Sequence, residues 1–129
     1  MNMEAHMVGW FEIPVADMNR AQHFYEKVFD IKIHIAQFGE TTMGWFPMPE
    51  NPQARGAGGS LIYNPAHYNP SDNGTLVYFS TAEITAELNR VKASGGTVLQ
   101  EKTLISDDIG YMALFLDSEG NRMALHSRA

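Results

Sequence analysis

The sequence predicts an α+β domain of two tandem βαβββ modules, with a concave mixed sheet inside and the helices outside. Three observations carry this. The chain overlays on itself at a shift of 66 positions. Each half opens with a strand-like run followed by an amphipathic helix. The chain closes on two strand-like runs joined by a turn.

The repeat is one of pattern more than identity. Trp10-Phe11-Glu12-Ile13-Pro14-Val15 lies over Leu76-Val77-Tyr78-Phe79-Ser80-Thr81, Asp17-Met18 over Glu83-Ile84, and Gly44-Trp45-Phe46 over Gly110-Tyr111-Met112. In the first half Asp17 is suited to cap a helix, because its carboxylate accepts from free amides of the first turn. Met18, Ala21, Phe24, Tyr25 and Val28 then recur at helical spacing and give one apolar face. In the second half Ser80-Thr81-Ala82-Glu83 reads as a capping box. Ile84, Leu88 and Val91 form the stripe, and Gly95-Gly96 ends the helix where a left-handed residue is needed.

Short strands are expected over 31–37, 42–48 and 59–63, and again over 97–102, 110–116 and 122–127. Asp117-Ser118-Glu119-Gly120-Asn121 is the turn of the last hairpin. Two stretches break the pattern. The Pro- and Gly-rich loop 47–59 is a candidate lid or rim, and 64–74 is the linker. The whole chain, 1–129, then forms one domain, with module one at about 8–63 and module two at about 75–127.

Strand alternation assigns the faces. Phe11 and Ile13 should pack on a helix and leave Trp10 and Glu12 opposite. Val77 and Phe79 should do the same, exposing Leu76 and Tyr78. On the last strand Met123 and Leu125 face the helix, while Arg122, Ala124 and His126 point away. The faces turned from the helices line the concavity, where a ligand would sit.

Composition narrows the function classes. A chain of 129 residues, 44% hydrophobic and 19% charged, is an ordinary single globular domain able to bury a core. No apolar run approaches the ~20 residues of a membrane span. The start of the chain, Met1 to His6, has neither the basic nor the apolar region of a leader, and a cytoplasmic, non-membrane protein is expected. The absence of cysteine excludes disulfides, a thiol nucleophile and thiolate metal sites. A formal net charge of -6 argues against nucleic acid as a partner and mildly favours neutral or cationic ligands.

One run is distinctive. Phe11-Glu12-Ile13-Pro14-Val15, Asp17-Met18, Arg20-Ala21, Phe24-Tyr25 and Val28-Phe29, with Gly95-Gly96 and Asp117-Ser118-Glu119-Gly120-Asn121 later, resembles the glyoxalase/bleomycin-resistance/dioxygenase (vicinal oxygen chelate) superfamily. The resemblance covers nearly the whole chain and implies the fold, a small-molecule ligand and a homodimer. It selects no reaction, since the superfamily hosts lyases, isomerases, epimerases, dioxygenases and metal-free drug-binding proteins. Its metal-using members place His, Glu or Gln ligands on strands one, four, five and eight. Those places fall on Trp10, near Ser60, on Leu76 and on Ala124, and none is a competent ligand for a divalent ion. No metal and no other cofactor are therefore expected.

Glu12 and His126 lie two residues beyond the vacated positions, so alternation returns both to the concave face. A carboxylate and an imidazole there could act as base and acid. Buried ionisable groups more often pair structurally, and that is the favoured reading. Trp10, Trp45, Tyr78 and Tyr111 could stack on a flat ligand, with Ser60 beside them, or could simply fill the space. His23, His6 and His67 fall on a helix exterior, a tail and a loop, while His34 sits on a strand. Gly56-Ala57-Gly58-Gly59 is no phosphate loop, and no Gly-x-Ser-x-Gly or His-Glu-x-x-His pattern occurs.

Three function classes stay open. They are a metal-free small-molecule binder, a metal-independent enzyme using Glu12 and His126, and a metal-dependent lyase, isomerase or dioxygenase with ligands relocated to Glu12, His34 and His126. Trp45, Phe46, Met43 and Met48 add more apolar surface than a small sheet hides, which points to a homodimer.

Overall fold

In the computed structural model, residues 5–129 are described; Met1 to Glu4 of the segment read above for a leader lie outside them. The chain runs β1 (Trp10–Pro14), α1 (Met18–Phe29), β2 (His34–Phe38), β3 (Thr41–Trp45), β4 (Gly58–Tyr63), β5 (Tyr78–Ser80), α2 (Ile84–Ala93), β6 (Thr97–Ser106), β7 (Gly110–Leu116) and β8 (Arg122–Ser127). This is βαβββ twice. The strands form two four-stranded sheets, ordered β1-β4-β3-β2 and β5-β8-β7-β6, rather than one hydrogen-bonded sheet. In each, the first strand lies parallel to the last, and the other pairs are antiparallel. β1 and β5 are thus both edge strands, and they meet through side chains, with the Phe11 and Phe79 rings 6.0 Å apart.

α1 forms as its pattern dictates. The Asp17 carboxylate accepts from the Arg20 amide at 3.0 Å, and Ala21, Phe24, Tyr25 and Val28 are buried. α2 corrects the expected capping box. Its N-cap is Glu83, whose carboxylate accepts from the Thr85 amide and hydroxyl, both at 2.9 Å. The reason is that β5 pairs with β8 as far as Ser80↔His126, so Ser80 belongs to a strand. Lys102, 2.7 Å away, and the two Thr85 bonds hold the Glu83 carboxyl down at about 2. Gly95, at φ +103, takes the left-handed turn after the helix.

One core serves both modules. Phe24 of α1 packs on Phe115 of β7, with centroids 6.2 Å apart, and the buried cluster runs from Ile13 and Leu61 to Ala113 and Leu125. The β7–β8 turn locks the modules together. Glu119, its side chain fully enclosed, accepts from the Ala16 and Asp17 amides at 2.9 and 2.8 Å, and both its oxygens bind the Arg20 guanidinium. A module-two carboxylate therefore satisfies amides just ahead of the module-one helix. Asp117 accepts from the buried Tyr25 hydroxyl at 2.6 Å, and Asn121 donates to the Pro14 carbonyl at 2.7 Å.

Strand lengths differ from expectation in three places, one being β3, which ends at Trp45 and not at Met48. β6 continues to Ser106, because its pairing with β7 survives three register shifts. β2 starts at His34 and not at Ile31, because Ile33 is drawn into the core and its amide donates to Glu26 at 2.8 Å.

Candidate functional site

Because β1 and β5 do not pair, a cleft of about 1130 Å³ opens along the seam between the modules. That is at or above the usual size of ligand cavities, roughly 300–1,000 Å³. Phe11, Phe29, Phe46 and Phe79 form an aromatic floor, with the Phe29 and Phe79 centroids 4.9 Å apart. Trp10, Glu12, Tyr78 and Arg122 stand along it. The loop 47–59 forms one rim, and Asn69, Ser71 and Gly74 of the 64–74 segment form part of another. Asn121 braces this corner, donating to Pro14 of β1 and accepting from the Ser71 amide at 2.9 Å.

On the module-one sheet, Glu12, Ser60, Trp45 and His34 occupy one cross-strand row on the face away from α1. Glu12 is exposed and accepts from the Tyr68 hydroxyl at 3.1 Å, a bond that raises the Tyr68 phenol above its ordinary range. Ser60 is fully buried, and its hydroxyl has no hydrogen-bond partner. Trp10 and Trp45 touch edge to face at 5.8 Å. Tyr78, 49% exposed, stands on the corresponding face of β5, beside Ala124 of β8.

Of the expected site residues, Trp10, Glu12 and Tyr78 line the cleft, Ser60 and Trp45 stand beside it on the module-one sheet, and Tyr111 and His126 lie elsewhere. Tyr111 packs against the core, on the helix side of β7 with Ala113 and Phe115, and Lys102 sits 4.5 Å above its ring. The face was misassigned because the 66-residue overlay fails on this strand. Trp45 pairs with Ser60 as Leu114 pairs with Ala124, a displacement of 69. The difference is odd, so every side chain changes face. His126 does point away from α2, but it is not part of the cleft. Its Nε2 lies 2.6 Å from the Ile109 carbonyl, which only accepts, so that nitrogen carries the proton. Glu12 and His126 therefore do not face one cavity.

The residues present do not fit a divalent metal. Trp10, Ser60, Leu76 and Ala124 offer one hydroxyl and neither carboxylate nor imidazole. Among the described residues no three His, Asp or Glu side chains converge on a point. Glu12 and His34 sit three strand spacings apart, about 14 Å, with Ser60 and Trp45 between them. The aromatic floor was not recognisable from periodicity, since a core phenylalanine and a cleft phenylalanine follow the same alternation. Only the absence of a β1–β5 ladder separates them.

Comparison with known proteins places these features. Residues 7–125 match the model of the Glyoxalase/Bleomycin resistance protein/Dioxygenase superfamily. No curated protein matches the sequence significantly. A glyoxalase I variant from Zea mays superposes at TM-score 0.72 with 19% identity, over 93% of this chain and 46% of that one. The chain thus spans about half the length of the maize enzyme. A glyoxalase/bleomycin resistance protein from Albidiferax ferrireducens matches at 0.68 and 18% identity, over 95% of this chain and 99% of the other. TnmS3, an antibiotic binding protein from Streptomyces sp. CB03234, matches at 0.69 and 22% identity, over 99% and 100%.

Proposed function

Because the chain belongs to the glyoxalase/bleomycin resistance protein/dioxygenase superfamily, we propose that it uses this fold to bind a small molecule with a flat apolar part, without the family metal. The observation that carries the proposal is the seam cleft, floored by four phenylalanines and flanked by the half-exposed rings of Trp10 and Tyr78. An apolar ligand entering it buries ring surface against ring surface, and the few polar groups on its walls orient it. The full-length likeness to an antibiotic binding protein agrees in kind. The failure of Trp10, Leu76 and Ala124 to offer a donor supports the metal-free half of the proposal. With Glu12 and His126 apart, acid–base catalysis by that pair has no geometric support.

The same proposal takes 1–129 as one domain acting in the cytoplasm, as a homodimer, with neither nucleic acid nor membrane as partner. Among the described residues no helix is long and apolar enough to cross a membrane. Trp45 and Met48 remain exposed on the module-one sheet and its following loop, whereas Phe46 has turned into the core and no longer counts toward an interface.

Titration with the neutral flat dye Nile red tests the binding function. Saturable binding is expected, weakened roughly 2- to 10-fold by Tyr78→Ala, since one aromatic contact contributes about 0.5–1.5 kcal/mol. Absence of saturable binding, or a Tyr78→Ala protein with unchanged affinity, would contradict it.

A further inference from the structure

Ser60 lies fully buried on a face that should be open. Its neighbours Gly59 and Leu61 face Phe11 and the core, so its own side chain points the other way, into the concavity. Its strand, β4, runs between β1 and β3. The register sets Glu12 on one side of Ser60 and Trp45 on the other.

The tryptophan pair stands beside it on this face. β1 and β3 are two strand spacings apart, about 9–10 Å, yet Trp10 and Trp45 reach across β4 until their centroids are 5.8 Å apart. Over Gly58 an added Cβ would meet the Met48 side chain at 3.0 Å and the Trp10 ring at 3.3 Å. The two indoles, with Met48 beside them, roof the stretch around Gly58. The roof has solvent on its outer side, since the two residues are 39% and 37% exposed. Trp10 borders the cleft while Ser60 does not.

A buried hydroxyl with no partner is a hydrogen bond left unmade, and folds rarely keep one without a use. We propose that the Trp10–Trp45 pair is a movable roof over a polar subsite built from the Ser60 hydroxyl and the Glu12 carboxylate. The subsite takes an N–H or O–H donor group carried on a flat, neutral or cationic ligand. A carboxylate only accepts, and Glu12 keeps lone pairs free beyond the one given to Tyr68. Ser60 can accept from the same group or donate to it. The adjacent negative charge disfavours an anion, and the parted indoles supply the faces on which a ring stacks. This rests on the cleft being a ligand site, because Ser60 is reached from it past Trp10.

The roof carries its own reporter, since Trp10 and Trp45 are the only two tryptophans in the chain. The probe is benzamidine, a flat ring with cationic N–H donors, and its anionic analogue benzoate is the comparison. Benzamidine should change tryptophan emission saturably, and benzoate should bind at least about tenfold more weakly. Ser60→Ala and Glu12→Gln should each raise the benzamidine half-saturation by about tenfold, the effect of one lost hydrogen bond to a charged group. No saturable response to benzamidine, an equal response to benzoate, or an unchanged half-saturation in Ser60→Ala would each overturn the subsite. Nile red binding to the parent protein reports the cleft independently. Dye binding without a benzamidine response removes the roofed subsite and leaves the cleft standing, whereas the absence of both responses removes the cleft as a ligand site and the subsite with it.

Discussion

Ser60 fixes the energetics of the module-one face at the scale of one atom. Its Oγ has left water and gained no partner, which typically costs about 1–3 kcal/mol. Ser60→Ala removes that oxygen and keeps the Cβ. Urea unfolding should therefore show Ser60→Ala to be as stable as the parent or more stable by about 1 kcal/mol. A loss of that size would mean that the hydroxyl has a partner after all. Glu12 and His126 form an instructive pair of opposites. Both lie on the faces that alternation assigns them, but a face is only a direction. Whether two such residues meet depends on how the sheets sit, and the His126 imidazole is already taken by the Ile109 carbonyl.

At the scale of elements, the β7–β8 turn does more than reverse the chain. Glu119 terminates a strand pair in module two and satisfies the start of α1 in module one. Burial alone would raise its carboxyl, but Arg20, the Asp17 and Ala16 amides and the Ser118 hydroxyl together hold it below the usual range. Glu83 is likewise lowered, by Lys102 first and then by Thr85. A carboxyl whose folded value is depressed adds stability at pH values above its unfolded value. That contribution disappears as pH falls through the folded value. For Glu83 the window runs from 4.5 down to about 2, and Glu119 adds to the same acid limb. Glu119→Gln should cost about 1.5–3 kcal/mol near pH 7, as expected for hydrogen bonds to a charged group. It should also flatten the fall in stability between neutral pH and about pH 3, where such carboxylates protonate. Urea melts at the two pH values measure both effects, and an unchanged pH slope would contradict the assignment. This element also marks the limit of what the sequence discloses. Asp117 to Asn121 is legible as a turn because turn chemistry is local. The Arg20–Glu119 contact joins residues 99 positions apart and leaves no periodic trace. The helices were legible from their stripes, and α2's cap was misplaced only because a three-residue strand, β5, ends where the box seemed to begin. Tyr111 was lost to a three-residue slip in the repeat.

The molecule as a whole is two sheets around one core, with an unpaired seam between two edge strands. The fold was legible because repeat, stripes and turns all agree on it. The cleft was not, since it arises from a ladder that does not form. Met48 and Phe38 leave apolar surface exposed on the module-one sheet and the loop after it, at 60% and 56%, and this surface supports the proposed homodimer. Light scattering at micromolar concentration should give twice the 14.4 kDa chain mass, and a monomer would contradict the dimer. Ligand binding in the cleft without a metal can be tested on one preparation. The protein is stripped with a chelator and titrated with Nile red, then loaded with nickel, zinc, manganese or iron, dialysed, assayed for bound ions and titrated again. Saturable dye binding by the stripped protein, no stoichiometric ion retained, and the same affinity after loading are expected. Stoichiometric retention that is lost in Glu12→Gln or His126→Ala, with dye binding that requires the ion, would contradict metal-free binding.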